Sequence, residues 1–186
     1  CDLLKAEERV RLYTWIAAEH PDLNVLINNA GIQQDVSISD SNFYDYAKEE
    51  LAINIEAPIH LASLFGNLKS LNTIMNVTSG LAFVPLTKMA VYCASKAFLH
   101  SFTLSLRQQL KPRDIQVIEI IPPAVNTDLG GQGKHNYAAP VSDFIQSVFE
   151  QFKKQKNEIT FGFSEDMLKS GPEEQQKAFA RINPEV

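Results

Sequence analysis

The sequence predicts an α/β fold built on an open parallel sheet. Three observations point there: short apolar runs alternate with longer stretches of helical period, the runs are apolar on consecutive positions as in strands buried on both faces, and each ends in polar residues. At 186 residues with 45% hydrophobic content, the chain has the size of a single domain, able to bury about 70% of the surface its unfolded form exposes.

The elements follow in order. Between Leu3 and Glu19, the residues Leu4, Val10, Leu12, Trp15 and Ile16 recur near helical period, and the "HPDL" that follows stops the helix, because proline disfavours helical geometry just before itself. The opening residues read as the end of one element running into this helix, which predicts sequence upstream of Cys1. "NVLINNAG" at 24–31 has the profile of a buried strand opening into a turn. A long helix is expected from Phe43 to Phe65, a strand at 72–79 ("NTIMNVTS"), a helix at about 89–111 and a strand at 115–122 ("IQVIEIIP"). Strands that alternate with helices imply parallel pairing through right-handed crossovers. From residue 123 the chain is polar and without period, a loop of the length that means a functional lid or disorder, with 128–140 as the candidate substrate loop. A helix at about 141–154, a short strand at 158–161 and an amphipathic helix at about 173–182 complete the reading.

Composition excludes several classes. A net charge of −5 with mixed signs gives neither a basic stripe for nucleic acid nor a polybasic membrane patch, and no apolar run approaches a membrane span. Two cysteines suit a reducing, cytoplasmic setting. The four histidines share no metal spacing, so no metal is expected; Cys93, lacking a histidine partner, reads as packing.

The chemistry-bearing residues gather at strand ends. Tyr92 and Lys96 are one helical turn apart, so the lysine charge is expected to pull the phenol below its ordinary value of about 10 and fit it for proton transfer. Tyr44 and Lys48 share the spacing, but in the very polar "SNFYDYAKEE" they read as a solvated helix face. What separates the pairs is Ser79, thirteen residues before Tyr92 and at the end of its own strand, with Asn28 and Asn29 ending the preceding strand and Pro122–Thr127 following the next. In open parallel sheets the crevice beyond these ends binds ligands.

"NNAG" at 28–31, Asn54 in "LAINIEAP", "VTSG" with Ser79, "YCASK" with Tyr92 and Lys96, and "PPAVNT" at 122–127 occur in the order found in short-chain dehydrogenases/reductases, and the chain resembles that family over nearly its whole length. "TDLGG" and "EITFGFSEDML" are similar to a microbial branch often labelled DltE-like. The resemblance implies a doubly wound, Rossmann-like parallel sheet lacking its first strand-helix units, residues 1–186 forming the last two-thirds to three-quarters of the family's domain. It implies an oxidoreductase that interconverts a small-molecule carbonyl and alcohol with NAD or NADP. On this resemblance Tyr92 is the acid or base, Lys96 lowers its pKa and bonds the nicotinamide ribose, Ser79 holds the substrate oxygen, and Asn54 kinks its helix and holds a relay water. Asn28, Ala30 and Gly31 line the coenzyme crevice, Thr127 meets the carboxamide beside Pro122, and Asp2 sits near the adenine. Asp2 also reads as a helix cap. Two features depart from the family: Pro122-Pro123 stands where Pro-Gly is common, and no glycine-rich phosphate turn is found among the eight glycines. A non-enzymatic interaction module and an epimerase or dehydratase are the rival readings. The resemblance further implies that the intact protein is a homo-oligomer paired through helices 43–65 and 89–111; Leu99, Phe102 and Leu106, at i, i+3 and i+7, give the second an apolar stripe that faces either this contact or only the chain's own sheet.

Overall fold

The computed structural model describes residues 1–184 of the chain. Four strands, β1 (Val25–Asn28), β2 (Thr73–Val77), β3 (Gln116–Ile121) and β4 (Glu158–Thr160), form one sheet in that order, and every pair is parallel. Helix α1 (Ala6–Glu19) precedes β1. Helices α2 (Phe43–Leu51) and α3 (Ala57–Phe65) lie between β1 and β2 as one helical run, joined by a π-turn at Ala52–Glu56. Helix α4 (Ala90–Leu110) connects β2 to β3, and α5 (Val141–Lys153) connects β3 to β4. Two further helices, α6 (Phe163–Lys169) and α7 (Pro172–Ile182), follow.

Alternation along the strands assigns the two faces. Ile74 and Val117 point into a core shared with Leu61 and Phe65 of α3 and Leu106 of α4, and α1 covers it with Leu12, Tyr13 and Ile16. On the opposite face Ile118, Ile120 and Ile159, joined by Met75 and Val77, pack against Phe144 and Val148 of α5. Helices on both faces make the sheet doubly wound, as expected. The crossover rule is corrected. The connections β2 to β3 and β3 to β4 step the same way across the sheet, but α4 and α5 occupy opposite faces, so the two crossovers have opposite hands and only one is right-handed. The chain reaches the second face through the long segment 122–140.

Other differences are local. Helix α6 was not anticipated: it starts at Gly162, whose φ of +54° turns the chain sharply after β4, and its Ser164 and Met167 are buried. The apolar stripe serves the chain's own core rather than a subunit contact: Leu106 belongs to the cluster with Ile74 and Val117, Phe102 packs on it, and Leu99 is buried within the chain. The outward side of α4 instead carries Phe98 and Leu104, 44% and 42% exposed.

If Leu99 serves this core, Leu99→Ala lowers stability by about 2–5 kcal/mol whatever the protein concentration. Ile38→Ala, at a site 84% exposed, changes it by less than about 0.5 kcal/mol. Urea unfolding at two protein concentrations checks both values.

Candidate active site

The site is built at the carboxyl ends of β1 and β2. Asn28 ends β1, and the loop 29–35 that follows is tied to the helical run beneath it. The π-turn between α2 and α3 pushes Asn54 out of helical register, a disturbance that often marks functional positions. Its Oδ1 accepts the Ile32 N–H at 2.9 Å, while its Nδ2 donates to the Ile32 carbonyl at 2.9 Å and to Ser95 Oγ at 3.1 Å. Ser95 donates in turn to the Tyr92 carbonyl. Both amide hydrogens of Asn54 are thus committed to the protein, and the helical run is π-turned, not α-helical, at this residue.

Helix α4 places Tyr92, Lys96 and Ser95 within the protein; all three are buried. Lys96 Nζ lies 5.6 Å from the centre of the Tyr92 ring and donates to the Val77 carbonyl at 2.9 Å, at the very end of β2. Two residues on, Ser79 is buried and accepts the Leu81 N–H, which fixes its hydroxyl at the start of a 3-10 turn. The Gly80 N–H donates to the Pro122 carbonyl at 2.9 Å, so Pro122 joins the same edge.

The electrostatic expectation for Tyr92 is overturned. Burial pushes its phenol up to about 12, opposed by the nearby Ser79 hydroxyl and reinforced by Cys93 and Glu50. Burial likewise lowers Lys96 to about 8. Desolvation disfavours the charged form of each group, and here it outweighs the i, i+4 attraction on which the expectation rested. The Tyr44–Lys48 pair behaves as anticipated: its nitrogen and ring are even closer, at 4.9 Å, but Tyr44 is 70% exposed and Lys48 pairs with Asp45.

Gly31 has a defined purpose in this geometry. A Cβ there would lie 3.2 Å from Asn54 Oδ1 and 3.5 Å from Lys96 Nζ, so the missing side chain keeps open a close approach to both. Asn28 is buried; its Nδ2 donates to Asn76 Oδ1 at 2.8 Å, and its own Oδ1 is buried without a donor. A crevice of about 40 Å³ at the end of β1 is lined by Leu3, Ile27, Asn28, Asn29, Ala30 and Ile53, among others. Asn28 Oδ1 lacks a donor and Lys96 Nζ has donors beyond the one spent on Val77, a pair of polar groups that fits the amide and ribose of a nicotinamide; none of the described residues forms a glycine-rich phosphate turn.

The remaining expectations lie further out. Thr127 is exposed, its Oγ1 accepting the Leu129 N–H at 3.4 Å. Asp2 is exposed next to Leu3; its carboxylate accepts the Leu4 N–H, which holds its pKa low, and the cap position of α1 belongs to Lys5. Cys93 is buried packing, hydrogen-bonded with the backbone of Leu86, and its thiol is pushed up by burial. Leu129 and Met89 cover the Tyr92–Cys93 surface, and Gly130, with φ of +75°, abuts Gln33. Leu129 therefore lies against Tyr92, and Gly130 touches the loop after β1.

Several site residues were not singled out from sequence. Ser95 stood inside "YCASK" unassigned. Asn76, fully buried in β2, links Asn28 to Thr103. Glu50 is 1% exposed, accepts the Gln34 N–H at 2.7 Å and is raised in pKa chiefly by burial. Glu119 is fully buried. The signal for Glu119 is a lone carboxylate in the apolar run "IQVIEIIP"; Glu50, after Lys48 and Glu49, carries no such signal.

A profile of the short chain dehydrogenase family matches residues 1–138. The chain is 38% identical to the "uncharacterized oxidoreductase DltE" of Bacillus subtilis over 194 residues, which span 98% of this chain and 76% of that protein. It is 33% identical to an L-xylulose reductase of Caenorhabditis elegans across 74% of this chain, about half the length of that relative at 54%. Among solved structures, a short chain dehydrogenase from Burkholderia cenocepacia in complex with NADP superposes with a TM-score of 0.84 at 25% identity, over 98% of this chain and 78% of the other. One from Sphingobium yanoikuyae in complex with NADPH shares the fold, with a TM-score of 0.76 at 21% identity over 100% and 76%.

The Lys96 value gives a direct check. In NMR spectra of lysine-labelled protein, the Lys96 side chain should titrate at about 8, ahead of the bulk lysine signal, and that early step should vanish in Lys96→Met.

Proposed function

This chain belongs to the short-chain dehydrogenase family, within its oxidoreductases, and from that premise we propose that it interconverts a small-molecule carbonyl and alcohol with NAD or NADP, using Tyr92 as acid and base. The observation that carries the reading is the convergence of Ser79, Tyr92, Lys96 and Asn54 on one sheet edge, each buried and each oriented by a named hydrogen bond or helix face.

When bound, the coenzyme supplies or accepts the hydride at the reacting carbon. The chain supplies position and the proton. A phenol held at about 12 keeps its proton at neutral pH until an alkoxide, a stronger base, develops on the substrate oxygen; transfer is then downhill. Ser79 faces that oxygen and stabilises charge as it develops. Lys96, anchored to Val77, has donors left for the nicotinamide ribose, and Gly31, Asn28 and Ala30 line the coenzyme's path, with Pro122 and Thr127 on the carboxamide side and Asp2 toward the adenine. Asn54 holds the Ile32 loop and, through its free lone pair, the relay water. In this reading the segment 128–140 forms the substrate wall, with Leu129 setting an apolar surface beside Tyr92.

Two cysteines that are both free fit a cytoplasmic protein, and no described helix is long and apolar enough to cross a membrane. A homo-oligomer is part of the same proposal, now through the exposed Phe98 and Leu104 of α4 rather than Leu99 and Leu106. Light scattering should then report more than one chain per particle, and Phe98→Ser with Leu104→Ser should yield the monomer; a wild-type monomer at working concentration removes this part of the proposal.

For the chemistry, Tyr92→Phe should cut carbonyl reduction by about 10²–10⁴-fold with little change in coenzyme affinity. Tyr44→Phe should change the rate less than about twofold. Lys96→Met should impair both turnover and coenzyme binding. Initial rates with a panel of aldehydes and ketones, together with nicotinamide fluorescence, measure all three; near-normal turnover by Tyr92→Phe overturns the assignment.

A further inference from the structure

Behind the candidate site lies an ion pair, its carboxylate fully buried and its histidine 22% exposed, to which the chemistry above gives no part. Glu119 is fully buried in the middle of β3, on the face turned to α4. His100 Nδ1 lies 3.0 and 2.9 Å from its two carboxylate oxygens, and Thr78 Oγ donates to Oε1 at 2.6 Å. These contacts join three elements. Thr78 immediately precedes Ser79, and its N–H donates to the Ile120 carbonyl. His100 stands one helical turn beyond Lys96 and two beyond Tyr92, on the same side of α4. A carboxylate taken wholly from water must be compensated where it lies, and its two side-chain partners are these.

We infer that His100, Glu119 and Thr78 form a clamp that positions Ser79 against Tyr92, and that His100 and Glu119 are positioning residues of the reaction. The inference rests on the roles assigned above to Ser79, Tyr92 and Lys96. Protonated His100 bridges both Glu119 oxygens and so ties α4 to β3; Thr78 carries the tie to the end of β2, where the next residue is Ser79. With neutral His100 one ring nitrogen can still donate, but the buried carboxylate loses its counter-charge and the tie weakens.

The other charged groups near His100 do not replace it. Arg107, on the same helix, is spent on Glu158 at 3.3 Å and on the carbonyls of Val117 and Asn157. Glu158, on β4, adds negative charge, and Phe83 presents only a ring edge, its centroid 4.8 Å from that of His100. Hydrogen bonding to Glu119 raises the His100 pKa above its ordinary value, against desolvation, with the charges of Glu119 and Glu158 also raising and Arg107 lowering it. A base whose folded pKa is raised stabilises the fold fully below its unfolded value, about 6.5 for histidine, and that contribution is lost as pH rises through the elevated folded value.

The test uses purified protein and separates this inference from the function on which it rests. By NMR, His100 should titrate above its ordinary value in the wild type and fall back toward it in Glu119→Gln. Thermal unfolding of the wild type should lose stability as pH rises through that titration, and Glu119→Gln should remove the step. These two measurements need no turnover, so they judge the ion pair even if no carbonyl compound is reduced. For positioning, His100→Gln should lower turnover about tenfold when Ser79 is present and less than twofold in a Ser79→Ala background, because the clamp acts through Ser79. Thr78→Val, which keeps the side-chain shape, should give the same Ser79-dependent loss if the His100 variant folds poorly. An ordinary His100 titration, or equal losses in the two Ser79 backgrounds, overturns the clamp.

Discussion

The constraint on which the site depends is the double attachment of Asn54 to the backbone of Ile32. A loop leaving the end of a parallel strand has no neighbouring strand to satisfy its amides, and here one side chain takes both the N–H and the C=O of a single residue. The π-turn is what delivers it, since an uninterrupted α-helix from 43 to 65 would aim position 54 elsewhere. With the loop pinned, Gly31 is brought against Lys96, and Ser95 links the same amide to the helix carrying Tyr92. One asparagine thus sets the relation between the strand-end loop and α4.

The second organising effect is dehydration. Tyr92 and Tyr44 each stand four residues before a lysine, each with its ring within 6 Å of the nitrogen, but only one pair is buried. Burial moves the phenol and the ammonium toward their neutral forms, so the resting site holds a proton on Tyr92 over the whole physiological range. The spacing creates the neighbourhood, whereas exclusion from water decides which form of each group is at hand.

Much of this was legible in the chain. Runs such as "NTIMNVTS" and "IQVIEIIP" mark their strands because a strand covered on both faces must be apolar at consecutive positions; Ser79 shows as the polar end of such a run, and Tyr92 and Lys96 by their one-turn spacing and their interval from Ser79. Three things were not legible. The sign of the Tyr92 shift depends on depth of burial, which spacing does not encode. The facing of Leu99 and Leu106 could not be told from period alone, since an apolar stripe looks the same whether it meets a sheet or a second molecule. Glu119 was visible as a lone acid within apolar β3, but its partners come from two other elements, and only the fold puts His100 and Thr78 beside it.

The change of face between α4 and α5 bears on how the chain reaches its folded state. Contacts among β1, β2, β3 and α4 close over connections that remain on one side of the sheet. The apolar surface formed by Met75, Val77, Ile118 and Ile120 must instead wait for residues 122–140 to cross the sheet edge and bring α5 down upon it. Until then those side chains lie bare on a partly assembled sheet whose β3 edge is still unpaired, a combination that invites association with other nascent chains. Docking of α5 and β4 covers the surface and the edge together.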